Sequence, residues 1–295
     1  MSAPVHLAPG VALRLLAAFL ITAMSALVHA LAESVPVGQI IFCRSAFALI
    51  PIMSYVALRG NFPGELIPHR LGLHFTRGLL GVISMALSFL SLAWLPVANA
   101  TALGFLAPVL SLPLAAWTLG ERIAPRFVMA VGLGFAGVLA MLWEALEMPG
   151  TEALWGIAAG LAFALTTSFV RVHIKAMTKT EAPASIALTF AVTGTLVGLA
   201  TAPFGWVPVE GALLVGLIGA GLLGGLAHIA ATEATARASV AALAAFDFTG
   251  MAWALGFDIL LFATFPGPLG LAGVTAIALA ALMVSVAPRA SRQGA

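Results

Sequence analysis

The sequence predicts an all-α membrane protein, and three observations support this. First, 62% of its 295 residues are apolar and only 8% are charged, which is too little polar surface for a soluble globule of this length. Second, proline, glycine and charged clusters divide the chain into ten apolar runs, and most are long enough to cross the roughly 30 Å hydrocarbon core of a bilayer as a helix. Third, the runs lack the two-residue alternation of barrel strands, and backbone groups cannot stay unpaired in lipid, so helices are expected.

The ten expected helices cover residues 11–33, 36–58, 68–93, 97–119, 125–143, 153–175, 183–203, 210–232, 237–263 and 268–287. The fourth and fifth form the clearest hairpin, because only a short charged turn at 120–126 separates them. A looser hairpin of the same kind follows at 236–284, about 140 residues later. The chain is therefore interpreted as a duplication, with a five-helix repeat at 11–143, a linker at 144–152 and a second five-helix repeat at 153–287.

The positions of lysine and arginine predict the orientation. Apart from Arg44 and Arg77, all of them fall at the termini, in the turns after the second, fourth, sixth and eighth helices, or at the helix ends beside those turns. The linker instead carries three glutamates and no basic residue. By the positive-inside rule, both termini are cytoplasmic and the linker is periplasmic in a bacterial inner membrane. Because each repeat has an odd number of helices, the two are inverted, an architecture that recurs in secondary transporters with a midplane site.

Several motifs carry a family resemblance. The fourth and fifth helices are joined by Gly120-Glu121-Arg122, residues 42–47 read Phe-Cys-Arg-Ser-Ala-Phe, and Arg77 is followed by Gly78. These features resemble the EamA repeat, the unit of the ten-helix drug/metabolite transporter superfamily. Residues 231–255 resemble a subgroup that includes amino-acid exporters and importers of S-adenosylmethionine and riboflavin. The resemblance implies the ten-helix fold more specifically than it implies a substrate.

The second repeat departs from the family pattern at two places. Ala263 and Thr264 stand where the Gly-Glu turn is expected, and Asp258 stands where the family usually has glycine. Because of the first departure, the two halves have different residues at corresponding turns. The second departure adds an unusual charge inside a predicted span.

Four ionisable residues lie well inside predicted helices: Arg44, Arg77, Asp247 and Asp258. Each costs roughly 2.5–3.5 kcal/mol at the bilayer centre unless it pairs or faces a cavity, so all four are candidate substrate-binding residues. Their depths permit two ion pairs, Arg77 with Asp247 and Arg44 with Asp258. The alternative is that the pairs only lock helices together, or that Asp258 snorkels outward.

Aromatic residues near Asp247 extend the predicted site. Phe246, Phe248 and Trp253 share its helix and offer area on which an organic substrate with an ammonium group could stack. Asp247 could equally bind a coupling proton. The alternative is that these rings pack against lipid or a neighbouring helix.

His29 and His228 could face the same lumen, although a lone histidine is more often a packing residue. The glycine pairs 194/198 and 221/225 predict close helix contacts. Gly132-x-Gly134-x-x-Gly137 matches a dinucleotide fingerprint by letter, but it lies inside a predicted span without a preceding strand. We therefore interpret these glycines as positions where two helices pack closely.

The predicted function is secondary transport of small organic metabolites, with amino-acid export as the first hypothesis and import or exchange of a nucleoside-like metabolite such as S-adenosylmethionine or riboflavin as the second. The rival class is an intramembrane enzyme or a passive channel. The sequence has no HExxH, GxSxG or phosphate-binding loop, and one cysteine, so no enzyme, cofactor, metal or nucleic-acid partner is expected. The expected partners are the bilayer, a small-molecule substrate, and a coupling proton or counter-substrate.

Overall fold

The computed structural model describes residues 7–60, 63–120, 125–146, 151–238, 243, 246–247, 249–263, 265 and 267–285. Throughout this described part the regular elements are helices, and it contains no β-strand. The all-α prediction is therefore confirmed for these residues.

The helices, in chain order, are α1 (Leu7–Ala32), α2 (Val37–Arg59), α3 (Leu71–Trp94), α4 (Val97–Gly104), α5 (Leu106–Leu119), α6 (Pro125–Leu146), α7 (Thr151–Met177), α8 (Pro183–Ala200), α9 (Gly211–Arg237), α10 (Thr249–Phe262) and α11 (Pro268–Ser285). Short 3₁₀ turns at Gly64–Leu66 and Ala202–Phe204 follow α2 and α8.

Six of these helices, α1, α2, α3, α7, α8 and α9, are long and apolar enough to cross a bilayer. Large apolar side chains on their outer faces, such as Leu196 and Phe75, are exposed in the isolated chain, as expected for groups that contact lipid. The protein is thus a multi-pass membrane protein. The total of ten spans and the inverted repeat remain predictions.

The predicted helix at 97–119 is instead two helices, because α4 ends at Gly104 and α5 begins at Leu106. Pro108 explains the break, since it has no N–H to donate to the carbonyl of Gly104 four residues earlier. A Cβ atom on Gly104 would lie 2.9 Å from the ring of Phe163, so α7 packs closely against the break. Within the predicted helix at 237–263, α9 ends at Arg237 and α10 begins at Thr249.

Helix α2 packs closely against both α8 and α9. A Cβ atom on Gly198 would lie 2.5 Å from the backbone nitrogen of Phe42, and one on Gly225 would lie 2.7 Å from the carbonyl oxygen of Ala48. The backbones therefore touch where glycine removes the side chain, and the predicted packing role of these glycines is confirmed. Elsewhere in the bundle, α1 packs against α9, α3 against α7, and α6 against α11.

Candidate functional site

A cavity of about 250 Å³ lies among helices from both halves of the chain. Its wall is formed by residues of α1, α2, α3, α4, α7, α8 and α9, together with Asp247 and Gly250. Most of the wall is apolar, and its ionisable residues are Arg14, Arg44, Arg77, Arg171, His228 and Asp247. Among the described residues, four arginines and one carboxylate therefore line the same cavity.

Asp247 is held by two of these arginines. Arg14, near the start of α1, donates from Nε to Oδ1 of Asp247, and Arg171, near the end of α7, donates from Nη1 to Oδ2. The carboxylate is buried, and both arginines are mostly covered. Because each oxygen accepts from a different guanidinium, this Asp247 cluster joins α1, α7 and the segment before α10.

Arg44 and Arg77 form a second group around Phe190. The guanidinium carbon of Arg77 lies 4.2 Å from the centroid of the Phe190 ring, and that of Arg44 lies 5.4 Å from it. Both arginines are buried, and Nε and Nη1 of each have no hydrogen-bond partner in the described part of the chain. The aromatic ring attracts the two charges, but it satisfies none of their in-plane N–H donors.

A histidine and two glycines also lie beside this arginine group. The His228 ring lies 4.8 Å from the Phe190 ring, centroid to centroid. A Cβ atom on Gly224 would lie 2.7 Å from Nε of Arg44, and one on Gly81 would overlap Nη1 of Arg77. The absence of side chains at these two positions leaves room for the guanidinium groups.

The two predicted ion pairs are not formed. Asp247 pairs with Arg14 and Arg171 rather than with Arg77. Oδ1 of Asp258 accepts a hydrogen bond from the backbone N–H of Val97 at 3.2 Å. Depth in the membrane does not fix the direction in which a helix presents a side chain, and here the carboxylates and the buried arginines face different neighbours.

Asp258 therefore has a different position from the one expected. It is buried, and it caps the N-terminus of α4, where the first backbone N–H groups of a helix have no partner within the helix. The charge that replaces the family's usual glycine stabilises the start of the broken α4–α5 segment.

Three other predicted site residues lie outside the cavity wall. Trp253 is 46% exposed, and its ring lies 5.0 Å from that of Phe19 in an edge-on contact. Nδ1 of His29 lies 2.7 Å from the carbonyl oxygen of Leu92; because the carbonyl can only accept, this nitrogen carries the proton. Phe246 is half-buried. Phe248 lies outside the described residues.

Sequence reasoning missed three residues of the site: Arg14, Arg171 and Phe190. The two arginines lie close to predicted helix ends, so the sequence predicts them only as charges on the cytoplasmic side. Their signal was available, because Arg14 is three residues inside its predicted span and Arg171 is four residues inside its own. Phe190 carries no such signal, since phenylalanine is common throughout this sequence.

Comparison with known proteins points to one transporter family. Residues 8–143, just under half of the chain, match the model of the EamA-like transporter family. The chain is therefore similar to that family over its first half. Together with the transporter relatives below, this match indicates a membrane transporter of the drug/metabolite transporter superfamily rather than an enzyme.

Relatives that are themselves transporters cover up to 94% of the chain. It is 26% identical over 287 residues to the pseudopaline exporter CntI of Pseudomonas aeruginosa, a match that covers 94% of this chain and 95% of the relative. It is 26% identical over 247 residues to an S-adenosylmethionine uptake transporter of Rickettsia felis, covering 83% of this chain and 82% of the relative. The transporter of that name from Rickettsia conorii is 32% identical over 128 residues, 43% of this chain and 42% of the relative.

A solved crystal structure has the same fold. It superposes on this protein with a TM-score of 0.76, covering 93% of this chain and 96% of its own, at 20% sequence identity. The fold thus extends beyond the matched first half to nearly the full length of the chain.

Proposed function

We propose that this EamA-like protein is a ten-helix secondary transporter that exports small organic metabolites, with amino acids as the first substrate class, across a bacterial inner membrane by alternating access. The observation that carries the proposal is the cavity, which is lined by charged residues from both halves of the chain. The exporter from Pseudomonas aeruginosa, similar over 94% of this chain, supports the outward direction.

The helix contacts support two inverted repeats. If α1, α2, α3, α4–α5 and α6 correspond to α7, α8, α9, α10 and α11, the most extensive helix contacts map onto one another or onto themselves. The pairing of α1 with α9 maps onto α7 with α3, that of α2 with α9 onto α8 with α3, and that of α5 with α7 onto α10 with α1. The pairs α2 with α8 and α6 with α11 map onto themselves. Such exchange symmetry suits a carrier whose halves rock around a shared site.

The Asp247 cluster suits one gate of such a cycle. Arg14 is near the start of α1 and Arg171 near the end of α7, and the positive-inside rule places both of these helix ends on the cytoplasmic side. Their shared carboxylate joins elements of the two halves at this end of the cavity. Opening toward the cytoplasm requires these ion pairs to separate, and closing re-forms them.

Import or exchange of a nucleoside-like metabolite is the second candidate, and the uptake transporters from Rickettsia are the observation in its favour. The cavity volume of about 250 Å³ favours the smaller substrates, because pockets for drug-sized ligands usually measure about 300–1,000 Å³. Amino-acid-sized molecules therefore come first.

Counterflow tests the proposed function. The purified chain is reconstituted into liposomes loaded with one unlabelled solute, and uptake of the same labelled solute at trace concentration is followed. A carrier accumulates label transiently above equilibrium, whereas a passive channel only equilibrates it. The panel comprises amino acids, organic acids, S-adenosylmethionine and riboflavin. Counterflow of none of these, with protein confirmed folded by its elution as a single species in detergent, contradicts the proposal.

A further inference from the structure

We propose that Arg44 and Arg77 together bind a carboxylate of the transported molecule, so that the substrate is a small organic acid that carries a net negative charge at this site. This inference rests on the proposed transport function and adds the chemical class of its substrate.

Charge balance is the first argument. The Asp247 carboxylate, the acidic group in the cavity wall, already accepts hydrogen bonds at both oxygens from Arg14 and Arg171. Arg44 and Arg77 have no carboxylate partner in the part of the chain that the structure describes. Each buried cation without a counter-ion is costly in a membrane interior. An anion in the cavity supplies the missing charge.

Donor geometry is the second argument. A guanidinium group donates five N–H bonds in a planar fork, and a carboxylate accepts two of them side by side. Phe190 lies beside both guanidinium groups, at 4.2 Å and 5.4 Å from ring centroid to guanidinium carbon, and a ring face leaves the in-plane N–H donors available. Nε and Nη1 of Arg44 and Arg77 are such donors. Because both residues line the cavity, an oxyanion there lies beside two guanidinium groups that have donors without an acceptor in the described part of the chain.

The tight packing is the third argument. Glycine at positions 81 and 224 leaves room for the two guanidinium groups, and any Cβ there would press on them. Helices α2, α3, α8 and α9 thus hold both groups at the cavity wall. Their positions are set by close packing before a ligand arrives, which lowers the entropic cost of binding.

The same contacts argue against an ammonium group at Asp247, the recognition expected from the sequence. An ammonium would have to displace one of the two arginines, and it would enter a cavity whose arginines outnumber its carboxylates. Like charges at close range disfavour such a ligand. The cavity therefore selects acids over amines of equal size.

Ligand-dependent thermal stabilisation of the purified full-length chain in detergent provides the test. The probes are succinate, glutamate and pyruvate, each beside its uncharged or less acidic counterpart, namely succinamide, glutamine and acetone, with inorganic phosphate and lysine as further probes. We expect at least one carboxylate to stabilise the protein, and its counterpart to bind about 10-fold or more weakly. Stabilisation by amides or lysine equal to that by acids, preference for phosphate over every carboxylate, or no binding of any carboxylate overturns the inference.

Substitution assigns the effect to the two arginines. Arg44→Gln and Arg77→Gln should each raise the Kd of the binding acid by about 10- to 100-fold. Arg77→Lys, which keeps the charge but loses the planar fork, should fall between wild type and Arg77→Gln. Arg70→Gln is the matched control, because Arg70 is an exposed cation seven residues earlier that does not line the cavity. An unchanged Kd in both Gln variants, even with lowered thermal stability, assigns the arginines to packing and overturns the inference.

A second variant avoids removing a buried charge. Gly224→Ala retains both arginines but places a Cβ atom 2.7 Å from the present position of Nε in Arg44, whereas Gly256→Ala meets nothing within 4 Å. The first should weaken acid binding and the second should not.

Counterflow then distinguishes failure of the acid site from failure of the proposed transport function. Carriage of neutral or cationic solutes alone leaves the transport function standing and overturns the acid site, whereas no counterflow of any solute contradicts transport itself.

Discussion

Gly120 at the end of α5 and Ala263 at the end of α10 both adopt the left-handed backbone conformation, with φ of 68° and 51°. The two residues close the helices that correspond to each other in the proposed repeat, and Ala263 stands where the sequence departs from the family's Gly-Glu turn. Position 263 has the left-handed conformation although it is alanine and not glycine, the residue that favours this conformation. An L-residue with a Cβ atom pays roughly 1–2 kcal/mol for this conformation.

Ala263→Gly should therefore stabilise the protein. We expect the free energy of unfolding to rise by roughly 0.5–1 kcal/mol, because the relief of the left-handed strain exceeds the added flexibility of the unfolded chain. Thermal unfolding in detergent measures the effect, and Gly120→Ala is the matched reverse change, expected to lower Tm. A lower Tm for Ala263→Gly contradicts this account.

The Asp247 cluster should show strong coupling between its members. Asp247→Asn leaves two arginines without their counter-ion, and we expect a loss of roughly 3–5 kcal/mol of stability. The double change with Arg171→Gln should lose less than the sum of the single changes. Arg70→Gln serves as the control, because Arg70 is exposed and forms none of the ion pairs found among the described residues. Strict additivity of the Asp247 and Arg171 changes is the result that rejects the coupling.

Trp253 should contribute to packing and not to substrate affinity. Because its ring contacts Phe19 and is 46% exposed, Trp253→Leu should lower Tm slightly and leave the half-saturating concentration of any counterflow substrate unchanged. Phe163→Leu is the contrasting variant, since Phe163 lines the cavity, and it should raise that concentration several-fold. A several-fold increase for Trp253→Leu would restore this residue to the substrate route that the sequence suggested.

The predicted orientation can be checked without any substrate. Single cysteines or tags at both termini and at Asn61 should be reached only from the cytoplasm, and one at Glu147 only from the periplasm, as the distribution of basic residues requires. The natural cysteine, Cys43, is buried and is replaced by alanine as the background. Labelling of positions 61 and 147 from the same side defeats the count of five spans in the first repeat.

Acid should weaken the contact between the α7–α8 turn and α3. Burial raises the pKa of Glu181, but hydrogen bonds from the His74 ring and from the backbone N–H groups of His69 and Arg70 lower it further than burial raises it, so its pKa lies below the ordinary 4.5. A lowered pKa means that the stabilisation is complete above about pH 4.5 and is lost as the pH falls through the folded-state pKa.

The Tm difference between wild type and Glu181→Gln should accordingly be constant near neutral pH and shrink below about pH 4.5. Glu152→Gln, at an exposed glutamate in the first turn of α7, controls for a general effect of acid on the detergent complex. A difference between wild type and Glu181→Gln that grows as the pH falls contradicts the assignment.

Composition and charge asymmetry were sufficient to predict a helical multi-pass membrane protein, because backbone groups in lipid must be paired and each long apolar run is itself evidence of a span. The buried ions were found for the same reason: Arg44, Arg77 and Asp247 stand out in apolar surroundings, and all three line the cavity. Their partners were not found. Pairing depends on the rotation of each helix about its axis, and a one-residue difference in position turns a side chain by about 100°.

Trp253 and Asp258 also have neighbours that differ from those predicted from the sequence. A tryptophan far from both predicted interfaces was expected to need a polar partner in the cavity, yet its ring contacts Phe19 on the outside of the bundle. Asp258 was expected to pair with an arginine, yet it accepts a hydrogen bond from the first residue of α4. Neither outcome is encoded in local sequence, since both depend on which helices become neighbours.

The placement of Phe190 between Arg44 and Arg77 also bears on how the protein is made. Phe190 follows Arg77 by about 110 residues, so a ribosome that adds about 5–20 residues per second completes α3 roughly 5–20 s before α8 exists. During that interval two guanidinium groups have entered the membrane without the ring and the glycine-lined space that later receive them. A buried arginine without its final neighbours is costly in lipid, so the environment of Arg44 and Arg77 is complete only when the second half of the chain has been synthesised.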